Sequence, residues 1–257
     1  EFKNVSFGYK PERPILRNIS FVAEPGQTIA LVGPTGSGKT SITALAHRFY
    51  DVQQGSISID GQDIRDVTQE SIGHVMGMVL QEPFLFSKSV LENVSYNTEN
   101  ATREDVVAAC KIIGAHDFVM QLDNGYDTTL EQRGSNLSVG QRQLLSFARA
   151  LVADPKILVL DEATANIDSY TERIIQEALK KLLEGRTALV IAHRLSTIRN
   201  SNQIIVVRDG EIVEKGTHDE LLAETGLYAQ LWQTNYTSFD DIAGNADSIT
   251  GAPISST

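Results

Sequence analysis

The chain is 257 residues long, 41% hydrophobic and 21% charged, the composition of an ordinary globular protein large enough to bury a substantial core. Its formal net charge of −11 argues against nucleic acid as a partner and against direct adhesion to anionic lipid, because both depend on Lys and Arg facing phosphates. No run of about 18 apolar residues occurs, so direct membrane insertion by this chain is not expected.

The chain opens on Glu1-Phe2-Lys3 without a secretory pattern, and the missing initiator Met predicts a piece of a longer polypeptide. Phe2, Val5, Phe7 and Tyr9 predict a first strand, broken by Pro11 and Pro14. Ile29-Ala30-Leu31-Val32 predicts a second, followed at once by glycine-rich sequence. Ile42, Leu45, Ala46 and Phe49 then recur at i, i+3, i+4, i+7, one face of a helix. Residues from about 82 to 155 read mainly as helix, with Cys110 a buried helix residue; as the single cysteine it excludes an intrachain disulfide.

Ile157-Leu158-Val159-Leu160 lacks polar alternation, as expected of a parallel strand buried on both faces. Ile174, Ile175, Ala178, Leu179 and Leu182 mark a helix closed by Gly185, followed by strand Ala188–Ile191. A hairpin of 204–207 and 211–213 is predicted to turn at Asp209-Gly210, and Thr217 with Glu220 forms a capping box. Strands alternating with helices indicate an α/β fold around a largely parallel sheet. The tail from about Ser238 is polar and is expected to be disordered.

Gly33-Pro34-Thr35-Gly36-Ser37-Gly38-Lys39-Thr40 matches G-x-x-x-x-G-K-[ST], the Walker A phosphate loop, and Ser41 follows it. Glycines let successive N–H groups point at phosphates, and the next helix start adds its positive dipole. Lys39 supplies charge to the β- and γ-phosphates, and Thr40 a hydroxyl to Mg²⁺. Asp161 ends the apolar strand 157–160 in the Walker B pattern and is the second expected contact to Mg²⁺. Glu162 beside it is a candidate base for the attacking water. Two acids at a strand end are ordinarily mere solubilisers; the phosphate loop makes that the weaker reading. His193 ends another apolar strand, and alone it would carry little weight.

Leu137-Ser138-Val139-Gly140-Gln141 resembles the signature, normally L-S-G-G-Q, of the ATP-binding cassette (ABC) family. Ser138 and Gln141 form a capping box there, gathering N–H groups at a helix start whose buried face is Leu144, Leu145, Ala148, Leu151 and Val152. Other family elements follow in order. Tyr9 resembles the adenine-stacking aromatic, Gln81 the glutamine that senses Mg²⁺ and the attacking water, and His193 the switch histidine at the γ-phosphate. Residues 165–168, ending in Asp168, resemble the loop that contacts the opposite protomer.

The resemblance runs from Glu1 to about Gln233. It implies a P-loop NTPase fold: a RecA-like core sheet, an antiparallel β subdomain and an α-helical signature subdomain at about 82–155. The nucleotide-binding domain would span 1–237, with 238–257 as the tail. It further implies ATP and Mg²⁺ as ligands and hydrolysis by Lys39, Gln81, Glu162 and His193. Two cassettes would pair head to tail, the nucleotide held by residues 33–41, Tyr9, Gln81 and Asp168, with Ser138, Gly140 and Gln141 reaching the partner's ATP. The partners implied are a second nucleotide-binding domain and transmembrane domains fused upstream, which places the chain at the cytoplasmic face of a membrane.

Residues 82–86, with Ser89-Val90 and Glu92-Asn93, resemble exporters with fused membrane helices, as does the loop 129–134 before the signature. There the chain has Gln132 where Glu is usual, and Val139 where Gly is usual; Val139 lacks glycine's φ freedom. The alternatives are an importer's separate ATPase subunit, a DNA- or ribosome-associated ABC ATPase, and a non-hydrolysing regulator. They would call, in turn, for an added folded domain, for basic patches or a second cassette, and for loss of Lys39, Asp161 or Glu162.

Overall fold

The computed structural model describes residues 1–10, 12–96, 98–161, 168–192 and 194–234. An antiparallel sheet comes first, from β1 (Phe2–Phe7) and β2 (Leu16–Phe21). The chain then enters the main sheet at β3 (Thr28–Val32), crosses helix α1 (Lys39–Ala46) and returns to the first sheet as β4 (Gln54–Ile59) and β5 (Gln62–Asp63). Helix α2 (Gln69–Val75) leads into β6 (Met76–Val79), at the edge of the main sheet.

The helical layer follows: α3 (Val90–Val94), α4 (Arg103–Ile113), α5 (His116–Met120) and the long α6 (Val139–Ala153). Then come β7 (Ile157–Asp161), α7 (Ser169–Leu183), β8 (Thr187–Ile191), α8 (Leu195–Arg199), the hairpin β9 (Gln203–Arg208) and β10 (Glu211–Gly216), and α9 (His218–Ala223). A further helix covers 227–234.

The main sheet has six strands in the order β10-β9-β3-β8-β7-β6, parallel except for the β9–β10 hairpin. Strand alternation divides the interior in two, because successive side chains point to opposite faces. Ile29, Leu31, Val159, Leu189, Ile191, Ile205 and Val207 join α1 and the antiparallel sheet in one core. Ala30, Val32, Leu158, Leu160, Val190, Ile204 and Val206 face the other way, onto α4, α6 and α7. The near-continuous apolar strands thus reflect burial on both sides.

The predicted turn is as read: Asp209 and Gly210 have φ of 52° and 80°, the pair of positive values a tight hairpin of this kind requires. The Thr217–Glu220 capping box is present, and Cys110 is a buried helix residue whose thiol burial pushes up to about 11. Two expectations need correcting. Helix α1 stops at Ala46 because Arg48 turns to φ 54°, so Phe49 leaves the helical face and is exposed. Arg48 is held there by bonds to Asp51 and to the carbonyls of Ile64 and Val67. Strand β1 ends at Phe7, so Tyr9 lies beyond it.

Candidate active site

The loop between β3 and α1 folds as it does because three of its residues have no Cβ to accommodate. At Gly33, with φ 152°, an added Cβ would lie 2.0 Å from the Val207 carbonyl oxygen; at Gly38, with φ 109°, it would meet Leu16 at 2.6 Å. Gly38 is also the N-cap of α1 and caps no amide with a side chain, so the helix start keeps its donors for something else. The loop is braced from beneath: Gly210 N–H donates to the Ser37 carbonyl at 3.1 Å and the Arg17 amide donates to the Gly210 carbonyl at 2.8 Å.

Lys39, the first residue of α1, is buried and turns its ammonium back into the loop. Its Nζ donates to the carbonyls of Gly33 and Pro34 at 2.8 and 2.9 Å, with Ser37 Oγ at 3.5 Å. Burial holds the ammonium below the usual lysine range, opposed by the negative charge of Asp161. Thr40 is exposed on the first turn of α1, and the buried Ser41 meets the Tyr9 hydroxyl at 3.2 Å. Tyr9, 49% exposed, stands edge-on to Phe7 and to Tyr50 at about 5 Å between ring centroids. Its side chain therefore offers an aromatic surface beside the loop.

Sheet order collects the remaining groups. β8 lies between β3 and β7, with Leu31 and Asp161 both paired to Ile191. The phosphate loop, Asp161 and the residues after Ile191 thus leave the carboxyl ends of adjacent strands, where α/β sheets bind ligands. β6 pairs with β7 on the far side, Val79 beside Leu160, so the exposed Gln81 follows β6 at the same end of the sheet as Asp161. Glu162, residues 163–167 and His193 lie outside the described residues. Asp168 is the N-cap of α7 and accepts from Thr171 N at 3.0 Å; these amide bonds hold its carboxyl below the usual range.

The signature segment stands on the helical layer. Ser138 and Gln141 form the capping box, with Ser138 N to Gln141 Oε1 at 2.9 Å and Gln141 N to Ser138 Oγ at 3.2 Å. Val139 is the first residue of α6, exposed, and outside the positive-φ residues of the chain, so the missing glycine costs the backbone nothing there. Gly140 is required for a different reason: an added Cβ would lie 2.3 Å from Thr171 Cγ2 of α7. Gln132, the other departure, is exposed on a short 3-10 turn. Leu144, Leu145 and Ala148 are buried, with Leu151 and Val152 packed against them.

Sequence reasoning passed over Tyr50, Ser37's link to Gly210, and Arg194. Arg194, next to His193, is buried with Nε 3.5 Å from Glu172 Oε1 and Nη2 3.4 Å from Gln143 Oε1. Only its place beside His193 could have drawn attention to it.

These residues fit a nucleoside triphosphate with a divalent cation: uncommitted helix-start amides, a lysine reaching into the loop and, at the carboxyl end of the sheet, a hydroxyl and a carboxylate. Among the described residues no group of three or more His, Cys, Asp and Glu could hold a metal by itself. Mg²⁺ takes one or two protein ligands and completes its shell from phosphate and water. Fold and site together define a P-loop nucleotide-binding protein.

The profile of the ABC transporter family matches residues 16–165. The chain is 50% identical over 233 residues, 91% of its length, to the probable multidrug resistance ABC transporter ATP-binding/permease protein YheH of Bacillus subtilis. It is 46% identical over 231 residues, 90% of its length, to the fatty acid ABC transporter ATP-binding/permease protein of Mycobacterium bovis. It spans 35% and 37% of the lengths of those two relatives. A solved bacterial Atm1-family ABC exporter with ATP bound superposes with a TM-score of 0.86 at 43% identity, over 92% of this chain and 41% of that one.

The chain belongs to the ABC transporter family, as a nucleotide-binding domain of the type found in fused ATP-binding/permease proteins. ATP-binding domains of this family are ATPases and bind ATP, generally with Mg²⁺. The importer alternative is not favoured by these relatives.

Proposed function

We propose that this chain hydrolyses ATP as the motor domain of an ABC exporter, paired with a second cassette and driven against membrane helices joined upstream. The observation that carries the reading is the carboxyl end of the sheet, where buried Lys39, Asp161 and the uncapped start of α1 come together. Lys39 and the loop amides bind and orient the β- and γ-phosphates; Thr40 and Asp161, with Gln81, would hold Mg²⁺, which when bound neutralises phosphate charge. Tyr9 stacks on adenine. Glu162 accepts the proton of the water that attacks the γ-phosphorus, and His193 steadies the γ-phosphate as ADP leaves. The second cassette closes the site with its own signature segment, while Ser138, Gly140 and Gln141 of this chain close the partner's, and Asp168 helps to join the pair.

Phe84, Phe86 and Tyr96 form an outward aromatic cluster, with centroids 5.0 and 4.5 Å apart; we assign it to a helix of the membrane part. No described helix is long and apolar enough to cross a membrane; attachment to the membrane part of an exporter would hold the domain at the cytoplasmic face.

Glu162→Gln tests the assignment of the base: it should keep ATP binding and lower turnover by about 10² to 10⁴ fold, measured as phosphate release alongside nucleotide binding. Unchanged turnover would remove Glu162 as the base.

A further inference from the structure

The segment between the core sheet and α4 is held from inside by a pair of polar side chains that the nucleotide site does not use. Asn93, on α3, is 0% exposed. Its Nδ2 donates to the carbonyls of Phe86, Lys88 and Ser89 at 3.0, 3.2 and 3.0 Å, and its Oδ1 accepts from Phe86 N at 2.8 Å. One buried amide thereby fixes the whole loop that precedes its own helix.

Arg149 reaches across from α6 to the same segment. Nε donates to the Asn93 carbonyl at 2.8 Å, Nη1 to the Phe84 carbonyl at 3.0 Å and Nη2 to Asn93 Oδ1 at 3.3 Å. Its guanidinium carbon lies 5.8 Å from the centroid of the Tyr96 ring. Burial weighs against the charge and Tyr96 favours it. These acceptors are amide oxygens of residues 84–93, so separating α6 from that segment would strand a half-buried cation. The planar fork makes the fit specific, since a lysine could offer only a point charge.

Three features therefore lie on one body. Phe84 and Tyr96, 48% and 44% exposed, turn outward on the segment. Arg149 sits on α6, and Ser138 caps the same helix, about 16 Å away along its axis at 1.5 Å per residue.

We propose that Arg149 is a positioning residue that locks segment 84–96 and α6 into one lever, delivering a load on the Phe84–Phe86–Tyr96 face to Ser138. The lock rests on the geometry above; the nature of the load rests on the exporter reading.

The lock is tested on the 257-residue chain by hydrogen–deuterium exchange. Arg149→Gln should speed exchange of the amides in 84–96 about tenfold while leaving those of α1 as they are. Unchanged exchange at 84–96 would overturn the lock. The lever is tested on the polypeptide that carries this cassette with its membrane helices, reconstituted in lipid nanodiscs, with turnover normalised to bound ATP. There Arg149→Gln should lower kcat about tenfold with the KM for ATP within about twofold, and Arg149→Lys should recover only part of the loss.

Should the Gln variant not fold, Arg149→Lys carries both measurements. Faster exchange with wild-type kcat would overturn the lever. Phe84→Ser separates that failure from failure of the docking assignment. If it lowers kcat while Arg149→Gln does not, only the lever falls; if neither lowers kcat, the assignment of the aromatic face falls with it.

Discussion

Helices α1 and α6 both begin at segments read as phosphate-binding, and they begin in opposite ways. At α1 the N-cap is Gly38, at φ 109°, and no side chain satisfies the first amides. At α6 the Ser138–Gln141 capping box occupies the amides of both residues. The first start is held open by its surroundings, with Val207, Leu16 and Gly210 packed around the loop. The second is complete in itself and turns Ser138 and Val139 outward. On the proposed function, one end grips an anion within its own chain, and the other is presented to something brought against it.

The two helices differ at their far ends too. α6 finishes at the exposed Asp154, α1 at His47, whose imidazole burial pushes down to about 4 against a smaller opposing pull from Thr43.

The comparison breaks most sharply at Lys39. Lys39→Ala should weaken ATP binding about 10- to 100-fold, because charge-assisted bonds to phosphate are lost at a site with no second loop cation; nucleotide titration checks this, and an unchanged affinity would refute the open-cradle account of α1. Of the same order in free energy is the pH response of its far end. His47 has a folded pKa near 4, below the ordinary histidine value of about 6.5, so the unfolded chain binds the proton first. Its contribution is present above about pH 6.5 and is lost as pH falls toward 4, roughly 3 kcal/mol across the window. Denaturant melts should show that slope, and His47→Leu should flatten it.

Ser138→Ala removes a cap and should cost about 1 kcal/mol of stability, readable as a shift in urea midpoint, and should weaken ATP-driven pairing of two cassettes without changing ATP affinity of the lone chain. Smallest is Val139→Gly, which restores the usual signature residue. It should change stability by less than about 1 kcal/mol, since an ordinary helical φ is already adopted there; a large gain in turnover would show that the valine hinders closure.

What was legible followed from local chemistry. The phosphate loop, the 157–161 strand with its terminal Asp161, the capping boxes and the Asp209–Gly210 turn all depend on neighbours in sequence. The missed strands depend on distant ones. β6 is only Met76–Val79, and its Gly77 lies flush under Pro155, where a Cβ would be 2.8 Å from Cγ. β2 and β4 are interrupted by Asn18 at φ 50° and Gly55 at φ 78°, which blur their alternation; antiparallel partners hold them in place all the same. The end of α1 was misread for a similar reason, as the contacts that hold Arg48 come from Ile64 and Val67. In the site, Lys39 and Asp161 could be named from the sequence, whereas the reason for Gly140 could not, because it is set by Thr171 on another helix.

The bracing of the phosphate loop by Gly210 has its own consequence. The hairpin tip, the floor of the loop and the start of β2 are pinned together by single hydrogen bonds on either side of one glycine. A Cβ at Gly210 would sit 2.0 Å from the Ile15 carbonyl oxygen, and its φ of 80° already disfavours any other residue. Tolerance to change is therefore low at a turn some 170 residues downstream of the loop it supports. Grafting a tag, a fluorophore or a new loop into the β9–β10 tip, which looks like a safe surface position, would disturb nucleotide capture first.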